Sequence, residues 1–154
     1  MEETVHNEEI QLVVFKLNRE SYGISILQVQ EIKRMLEITR VPHSPDYVKG
    51  VINLRGSVLP VLDLKKRLDL PPGEYTDDTR IIIVKMEDVT VGLIVDAVSE
   101  VTTISSDSVE PPHTVVSGLS AQYLSGVGKL DDTLLILLNL EAIVGVGADM
   151  TKAS

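Results

Sequence analysis

The chain has 154 residues, no cysteine and a net charge of −9. Disulfides, thiol catalysis and cysteine-based zinc sites are excluded, and the acidic balance argues against nucleic acid or an anionic membrane as a partner. Hydrophobic residues make up 44% of the chain and aromatic residues only 3%, so the core must be aliphatic. The acidic start is unlike a signal peptide and no apolar run of about 18 residues occurs, so we expect a soluble cytoplasmic protein.

The first half begins with two predicted strands. Residues 1–9 are polar and acidic, and we expect them to be disordered. The apolar run at 10–17 and the alternating pattern at 22–26 predict strands joined by a turn. Residues 27–35 fit a short helical turn and a bent strand equally well. The prolines within 39–45 indicate an extended linker.

Residues 50–64 are the most distinctive stretch, because two apolar runs flank a tight polar turn at Arg55-Gly56. The pattern predicts a β-hairpin, since glycine tolerates the positive φ of a short turn. Pro60 cannot donate a ladder hydrogen bond, so the second strand should lie at a sheet edge or be bulged there. Residues 65–68 predict a short helix.

The second half shows the same kinds of element. Two hairpins and a C-terminal helix are predicted, the helix ended by glycines, and the last residues are expected to form a flexible tail. The predicted elements are strands at 80–86 and 89–95, strands at 126–130 and 133–140 around an Asp131-Asp132 turn, a helix at 141–146 ended by Gly145 and Gly147, and a tail at 148–154.

The second half also repeats the first residue by residue. At a shift of 69, Gly23 falls on Gly92 and Glu31 on Glu100; at 70, His43 falls on His113; at 76, Asp63 falls on Asn139. We expect two related small β-barrels that bury the aliphatic excess between them and leave a groove between the copies. The alternative is chance similarity, because matches among valine, isoleucine and leucine are common.

No catalytic or metal-binding constellation is visible in the sequence. Phosphate-binding glycine patterns and a G-x-S-x-G elbow are absent. His6, His43 and His113 have no further ligands at usable spacing, so loop histidines without a metal are favoured. The carboxylate pairs at 77–78 and 131–132 occupy predicted turns, which favours solvated turn residues over acid–base work. A binding module is therefore favoured over an enzyme.

Arg55 is the least explained residue of the hairpin, because many polar residues would serve at a turn. The repeat does not share it, since Arg55-Gly56 becomes Asp131-Asp132. Arg55 and the preceding Lys49 are expected to form a small basic spot on an acidic protein. The spot is either a solvated turn, an internal ion pair such as one with Glu31, or a partner contact.

Four stretches together resemble the CheW-like domain family of bacterial chemotaxis, in one register from about residue 11 to residue 144. The Lys-Gly-Val-x-Asn-Leu-Arg-Gly run is specific to that family, which includes coupling proteins, the last domain of the histidine kinase CheA, and CheV. The chain has no room for kinase or receiver domains, so a stand-alone coupling protein is expected. The stretches are 22–32, 48–56, 91–98 and 123–128.

The resemblance implies a mostly β fold. It is expected to contain two small SH3-like or OB-like five-stranded β-barrels packed on a shared aliphatic core, with short helices including one at the C-terminus. The barrels are expected to be intertwined subdomains of a single domain at 10–147. The resemblance also implies a scaffold without catalysis or cofactor.

The implied partners are the cytoplasmic tips of methyl-accepting chemotaxis receptors and the CheW-like regulatory domain of CheA. In the family, a helical receptor hairpin lies in the groove between the barrels, and charged positions are implicated in coupling. Each barrel is expected to meet the opposite barrel of the kinase domain through exposed hydrophobic ends. The matching groove positions are Val13, Ile26, Val29, Ile32 and Val98, and the matching charged positions are Glu31, Lys49 and Arg55.

Two other classes of function remain open alongside the coupling scaffold. One is a small-ligand-binding double barrel that acts as a sensor, and the other is an enzyme using loop Asp or His residues. An aliphatic groove without polar groups disfavours both, because ligand and catalytic sites need a few well-placed polar groups.

Overall fold

A computed structural model describes residues 8–111 and 121–145, and these ranges contain ten β-strands and two short α-helices. The chain is mostly β, as predicted. The strands are β1 (Glu9–Leu17), β2 (Glu20–Ser25), β3 (Val29–Arg34), β4 (Val48–Leu54), β5 (Ser57–Asp63), β6 (Arg80–Met86), β7 (Val89–Val95), β8 (Ala97–Ser105), β9 (Leu124–Leu130) and β10 (Thr133–Leu138); the helices are α1 (Leu64–Arg67) and α2 (Leu140–Val144).

The strands form two five-stranded sheets whose order reveals the internal repeat. Sheet A has the order β8-β1-β2-β10-β9 and sheet B the order β3-β6-β7-β5-β4. Each strand from β1 to β5 corresponds to the strand five places later, β6 to β10. Exchanging the two members of every such pair converts one sheet order into the other. Each sheet therefore combines two strands from one half of the chain with three from the other, and the halves are interlocked.

A single bridge joins the two edges of each sheet. In sheet B, Thr39 follows edge strand β3 and exchanges hydrogen bonds of 2.9 and 2.8 Å with Val51 of edge strand β4. In sheet A, Glu110 follows β8 and pairs in the same way with Val127 of β9. These equivalent bridges close the sheets into the two predicted five-stranded barrels.

Aliphatic side chains fill three clusters, as the composition requires. The largest contains residues from both sheets, including Phe15 of β1 and Ile82 of β6, and it joins the barrels. Sheet B has its own cluster around Val61, and sheet A has one around Leu135. The large cluster is the shared aliphatic core that was expected between the copies.

Local sequence accounts for the turns and helix ends. Arg55 and Gly56 have φ values of 52° and 89°, and the Asn53 side chain accepts a hydrogen bond of 3.0 Å from the Gly56 N–H. Such a pair of positive φ angles suits the twist of a hairpin. Asp63 caps α1 and its repeat partner Asn139 caps α2, which ends at Gly145 with φ 75°.

The fold decides three local expectations, of which one is completed and two are corrected. The segment at 27–35 contains both predicted alternatives, a 3-10 turn at Ile26–Gln28 followed by β3. The expectation that Pro60 lies on an edge strand or at a bulge is wrong. β5 is an interior strand, and the bulge lies in its partner β4. Pro60 is tolerated because β7 pairs with β5 only from Val61 onward. The segment at 39–45 is not fully extended, since it turns at His43 with φ 65°.

A polar cluster fastens α1 to the neighbouring turns. The Lys65 ammonium is buried and lies 3.0 and 3.1 Å from the two carboxylate oxygens of Asp96, between β7 and β8. Asp96 also accepts a hydrogen bond of 2.6 Å from the Asn18 N–H, and Asn18 Oδ1 lies 3.3 Å from the Lys65 Nζ. The cluster therefore ties elements of both sheets together.

Arg67 fastens the two halves from the other side of α1. Its guanidinium lies over the rings of Tyr47 and Tyr123, at 4.3 and 5.1 Å from their centroids. It also donates a hydrogen bond of 2.7 Å to the Ile143 carbonyl at the end of α2. The two tyrosines are repeat partners at a shift of 76, so one cation binds equivalent groups of both halves.

Some expectations concern residues outside the described ranges. These are the disorder of 1–7 within the predicted segment 1–9, the roles of His6 and His113, the helix stop at Gly147 and the tail at 148–154. Within the described part, the chain is already in β1 at Glu9.

Candidate functional site

A β-bulge in edge strand β3 decides which of its side chains share a face. Val29 pairs with Val84 and Ile32 with Ile82, and both of these partners belong to the large core cluster. Residues three apart on a regular strand point to opposite faces, but an extra residue between them restores a common face. The register shift between Val29 and Glu31 supplies that extra residue.

The same arrangement occurs in edge strand β8 of the other sheet. Val98 pairs with Phe15 and Val101 with Val13, and a register shift lies between the two pairs. Phe15 and Val13 belong to the large core cluster. The bulge in each sheet therefore places two aliphatic side chains of an edge strand beside the core that joins the barrels.

The 3-10 turn before β3 adds an exposed leucine. Leu27 is 92% exposed, and its N–H donates a hydrogen bond of 3.1 Å to the Ser25 hydroxyl that caps the turn. Ile26 in the same turn is half-buried against the large core cluster. Gln28 donates a hydrogen bond of 3.3 Å to Glu141 of α2, which holds the turn against the C-terminal helix.

We call these side chains the aliphatic surface. Val29 and Val98 are half-buried, Ile32 is 40% exposed and Val101 is 53% exposed, so apolar area remains in contact with water at both edge strands. Single exposed aliphatic residues are ordinary, but here Val29 and Ile32 of one barrel are matched by Val98 and Val101 at equivalent positions of the other. The aliphatic surface comprises Ile26, Leu27, Val29, Ile32, Val98 and Val101.

Val13 does not line this surface. It is 1% exposed and pairs with Val101 from within the large core cluster. A side chain buried to that extent cannot be touched by a partner, so its position corrects the expected set of groove residues. Val13 instead lies beside Val101, as its cross-strand partner on the neighbouring strand.

Sequence reasoning missed two members of the aliphatic surface. Val101 could have been found, because it is the repeat partner of Ile32 at a shift of 69. Leu27 gave no such indication, because an apolar residue before a predicted strand is usually buried.

Glu31 lies on the opposite face of β3 and forms an ion pair with Arg55. Its cross-strand partner Ile83 belongs to the sheet B cluster, and its carboxylate accepts a hydrogen bond from the Arg55 guanidinium. Arg55 is at the tip of the β4–β5 hairpin, so the pair spans the two edge strands of sheet B. Lys33 adds a second cation 3.8 Å from Glu31.

The ion pair shifts the titration of both groups. The hydrogen bond from Arg55 is the main cause that lowers the pKa of Glu31 below its usual value; partial burial opposes this shift, and the charges of Arg55 and Lys33 reinforce it. The same hydrogen bond raises the pKa of Arg55. The Arg55 side chain remains 66% exposed and that of Glu31 only 26%, so the guanidinium is paired and still accessible.

Lys49 does not join Arg55 in one basic spot, contrary to expectation. The two residues are six positions apart on an extended hairpin, which separates them by roughly 20 Å. Lys49 is the extra residue of a bulge in β4, and its ammonium lies 5.1 Å from the centroid of the Tyr75 ring. Tyr75 in turn donates a hydrogen bond of 3.1 Å to Asp63.

Neither a metal-binding cluster nor a membrane-spanning helix occurs in the described part of the chain. Across 8–111 and 121–145, no group of three His, Cys, Asp or Glu residues is placed to hold a metal ion. None of the helices in that part of the chain is long and apolar enough to cross a membrane. The carboxylate pairs at 77–78 and 131–132 lie in turns, as predicted.

Comparison with known proteins identifies the family. The model of the CheW-like domain matches residues 11–146. The chain belongs to the CheW-like family. It is 40% identical over 133 residues to the chemotaxis protein CheW of Bacillus subtilis, covering 86% of this chain and 85% of that one. It is 36% identical over 142 residues to the chemotaxis protein CheW of Klebsiella aerogenes, covering 92% and 84%.

A solved structure of the family has the same fold. The scaffolding protein TtCheW of Thermoanaerobacter tengcongensis superposes with a TM-score of 0.83 at 38% identity. The match covers 93% of this chain and 92% of that one. The two five-stranded sheets and few short helices are thus the architecture of a chemotaxis scaffold.

Proposed function

We propose that this protein is a non-catalytic chemotaxis adaptor that couples methyl-accepting chemoreceptors to the histidine kinase CheA. The observation that carries the proposal is the aliphatic surface, built from bulged edge strands of both barrels. A cytoplasmic location, with recruitment to membrane-associated receptor arrays, follows from such a role.

The aliphatic surface suits a helical partner. An amphipathic helix presents an apolar stripe at intervals of three and four residues, and it binds by laying that stripe against an apolar groove. Val29 and Val98 would meet the centre of the stripe, with the more exposed Ile32 and Val101 beside them. Because the contact is apolar, the net charge of −9 does not prevent it.

The Glu31–Arg55 ion pair would lie at the edge of the contact between the aliphatic surface and the helix. Glu31 shares β3 with Val29 and Ile32, so holding its carboxylate also constrains the strand that carries them. Arg55 uses one nitrogen on Glu31 and keeps other N–H donors exposed, so it can bind a partner while the internal pair persists. We therefore place Arg55 and Glu31 among the coupling residues. Lys49, at the β4 bulge, is proposed with them on the family resemblance alone.

Coupling requires that the two binding surfaces move as one body. Three features join the barrels: the shared core, the Lys65–Asp96 cluster and the stacking of Arg67 on Tyr47. A receptor bound at one surface can then change the geometry offered to the kinase at another. Repetition of weak contacts in an array adds avidity.

Binding experiments with matched variants test the proposal. Ile32→Asp should abolish binding of a receptor cytoplasmic fragment and leave binding of the CheA regulatory domain within about twofold, because a charge buried in an apolar contact is costly. Val41→Asp is the matched control, since Val41 is also 40% exposed but lies outside the aliphatic surface.

Two results would contradict the proposal. The first is unchanged receptor binding by Ile32→Asp and by the equivalent Val101→Asp. The second is an equal loss of receptor and kinase binding by variants whose melting temperature matches that of the parent chain.

A further inference from the structure

A small cleft lies away from the aliphatic surface, between the β3–β4 linker, the start of β4 and helix α1. Its volume is about 280 Å³. Four side chains that carry or can carry positive charge line it, together with one carboxylate, that of Asp46. The cationic side chains are Arg40, His43, Lys49 and Lys66.

Within the described residues, these cations have few partners. Across 8–111 and 121–145, the side chains of Arg40, His43 and Lys66 make no hydrogen bond or ion pair. Within the same ranges, the Lys49 ammonium lies 5.1 Å from the centroid of the Tyr75 ring and makes no hydrogen bond or ion pair. Like charges repel one another, so an anion bound among them would gain favourable interactions with several cations at once.

The internal repeat supplies an independent argument. The same fold positions in the second half are occupied by Pro111 in place of Arg40, Ser125 in place of Lys49 and Ala142 in place of Lys66. Lys49 and Ser125 both occupy the bulge of their strand. The described positions of the second half therefore fold without a cation at the places of Arg40, Lys49 and Lys66, whereas His43 falls on another histidine, His113, in the sequence repeat.

The linker that carries two of the cations has a defined shape. The Ser44 hydroxyl donates a hydrogen bond of 2.8 Å to the Val41 carbonyl, and Thr39 bridges to Val51 just before Arg40. Lys66 lines the cleft from the opposite side and lies on α1. Its backbone N–H donates a hydrogen bond to the carboxylate of Asp63, the N-cap of that helix. Residues on separate elements thus line one small volume.

We propose that this cleft binds a small multivalent phosphate anion, such as a diphosphate or the phosphate chain of a nucleotide. Several oxygens on adjacent phosphorus atoms can accept hydrogen bonds from cations on different elements at once. A volume of about 280 Å³ accommodates such a group and not a folded partner segment. The inference does not rest on the proposed coupling function.

The test is a titration of the isolated chain at constant ionic strength. Inorganic pyrophosphate is added to ¹⁵N-labelled protein, and amide shifts and calorimetric heats are recorded. We expect saturable one-to-one binding with shifts concentrated at 40–49 and in α1. Arg40→Gln and Lys66→Met should each weaken binding by about three- to tenfold, the effect of losing one charged hydrogen bond near a surface.

Lys85→Met is the matched control, because Lys85 is exposed on β6 and its loss changes the net charge equally. It should leave the affinity unchanged. The same titration with adenosine triphosphate and with adenosine separates a nucleotide from a free polyphosphate: equal affinity for pyrophosphate and the triphosphate, with none for adenosine, supports recognition of phosphates alone.

Three outcomes would overturn the proposal. Binding that is weakened as much by Lys85→Met as by Lys66→Met would show a general charge effect. Amide shifts spread over all basic residues would show the same. Binding of hexaglutamate in preference to pyrophosphate would assign the cleft to an acidic peptide instead.

Discussion

Removal of Asp96 should destabilise the protein far more than removal of its partner Lys65. Asp96→Ala leaves the buried Lys65 ammonium, whose side chain is 8% exposed, without its carboxylate. Breaking a buried pair in this way costs about 3–5 kcal/mol. The Asp96 side chain is 25% exposed, so water can reach the vacated site and the low end, about 3 kcal/mol, is expected.

Lys65→Met keeps the apolar stem and removes the buried charge. Asp96 would retain its hydrogen bond from the Asn18 N–H and its access to water, so a loss of only about 1 kcal/mol is expected. The double variant should be no less stable than Asp96→Ala, because no unpaired ammonium remains in it.

Urea unfolding followed by far-ultraviolet circular dichroism measures these differences, since the chain has no tryptophan. For a chain of this length, about 3 kcal/mol corresponds to a fall in melting temperature of roughly 6–12 °C. Equal losses in the two single variants, or a larger loss in Lys65→Met, would refute the reasoning that an uncompensated buried ammonium is the source of the cost.

Three further predictions concern other parts of the fold. Arg55→Gln should raise the pKa of Glu31 in carboxyl-carbon NMR titrations, because Arg55 lowers that pKa in the folded chain. The stability that the pair contributes is therefore present above the pKa of Glu31 in the unfolded chain. It is lost as the pH falls through the pKa of Glu31 in the folded chain. Arg67→Leu should cost about 2 kcal/mol in urea unfolding, since it loses hydrogen bonds to α2 and contact with two tyrosine rings. Gly50→Ala should cost more than about 3 kcal/mol, because a Cβ would lie 2.2 Å from the Thr39 carbonyl oxygen at φ 154°.

Each of these has a contrasting outcome. An unchanged Glu31 titration in Arg55→Gln would show that the ion pair does not persist in solution. A Lys substitution at 67 that retains full stability would show that the planar stacking is unimportant. Gly56→Ala has open space around its Cβ and should cost only about 1 kcal/mol, so a loss as large as that of Gly50→Ala would contradict the steric argument.

Most elements of the fold could be predicted from the sequence because their causes are local. β-Branched runs bounded by turn residues predicted strands such as β6 and β7. The Arg55-Gly56 turn predicted the first hairpin, and the duplicated pattern predicted two barrels. Their five-stranded form and intertwining came from the family resemblance.

The candidate site was harder to predict from the sequence, because it depends on the register between strands that are far apart in the chain. Val29 and Ile32 share a face only through the β3 bulge, and nothing in their spacing shows it. Val13 and Val101 are both valines and pair across neighbouring strands, yet Val13 is buried and Val101 is exposed, since β1 is interior and β8 is an edge. The Glu31–Arg55 pair was one of three alternatives, and only the closure of sheet B brings the residues together.

The strand order has a consequence for the synthesis of the chain. Sheet B uses β3 to β7, an unbroken stretch from Val29 to Val95, so all its strands are available once that stretch has left the ribosome. Sheet A takes β1 and β2 from the beginning of the chain and β8 to β10 from its end. The first two strands emerge earliest and must wait for the last three, so the barrel begun first is completed last.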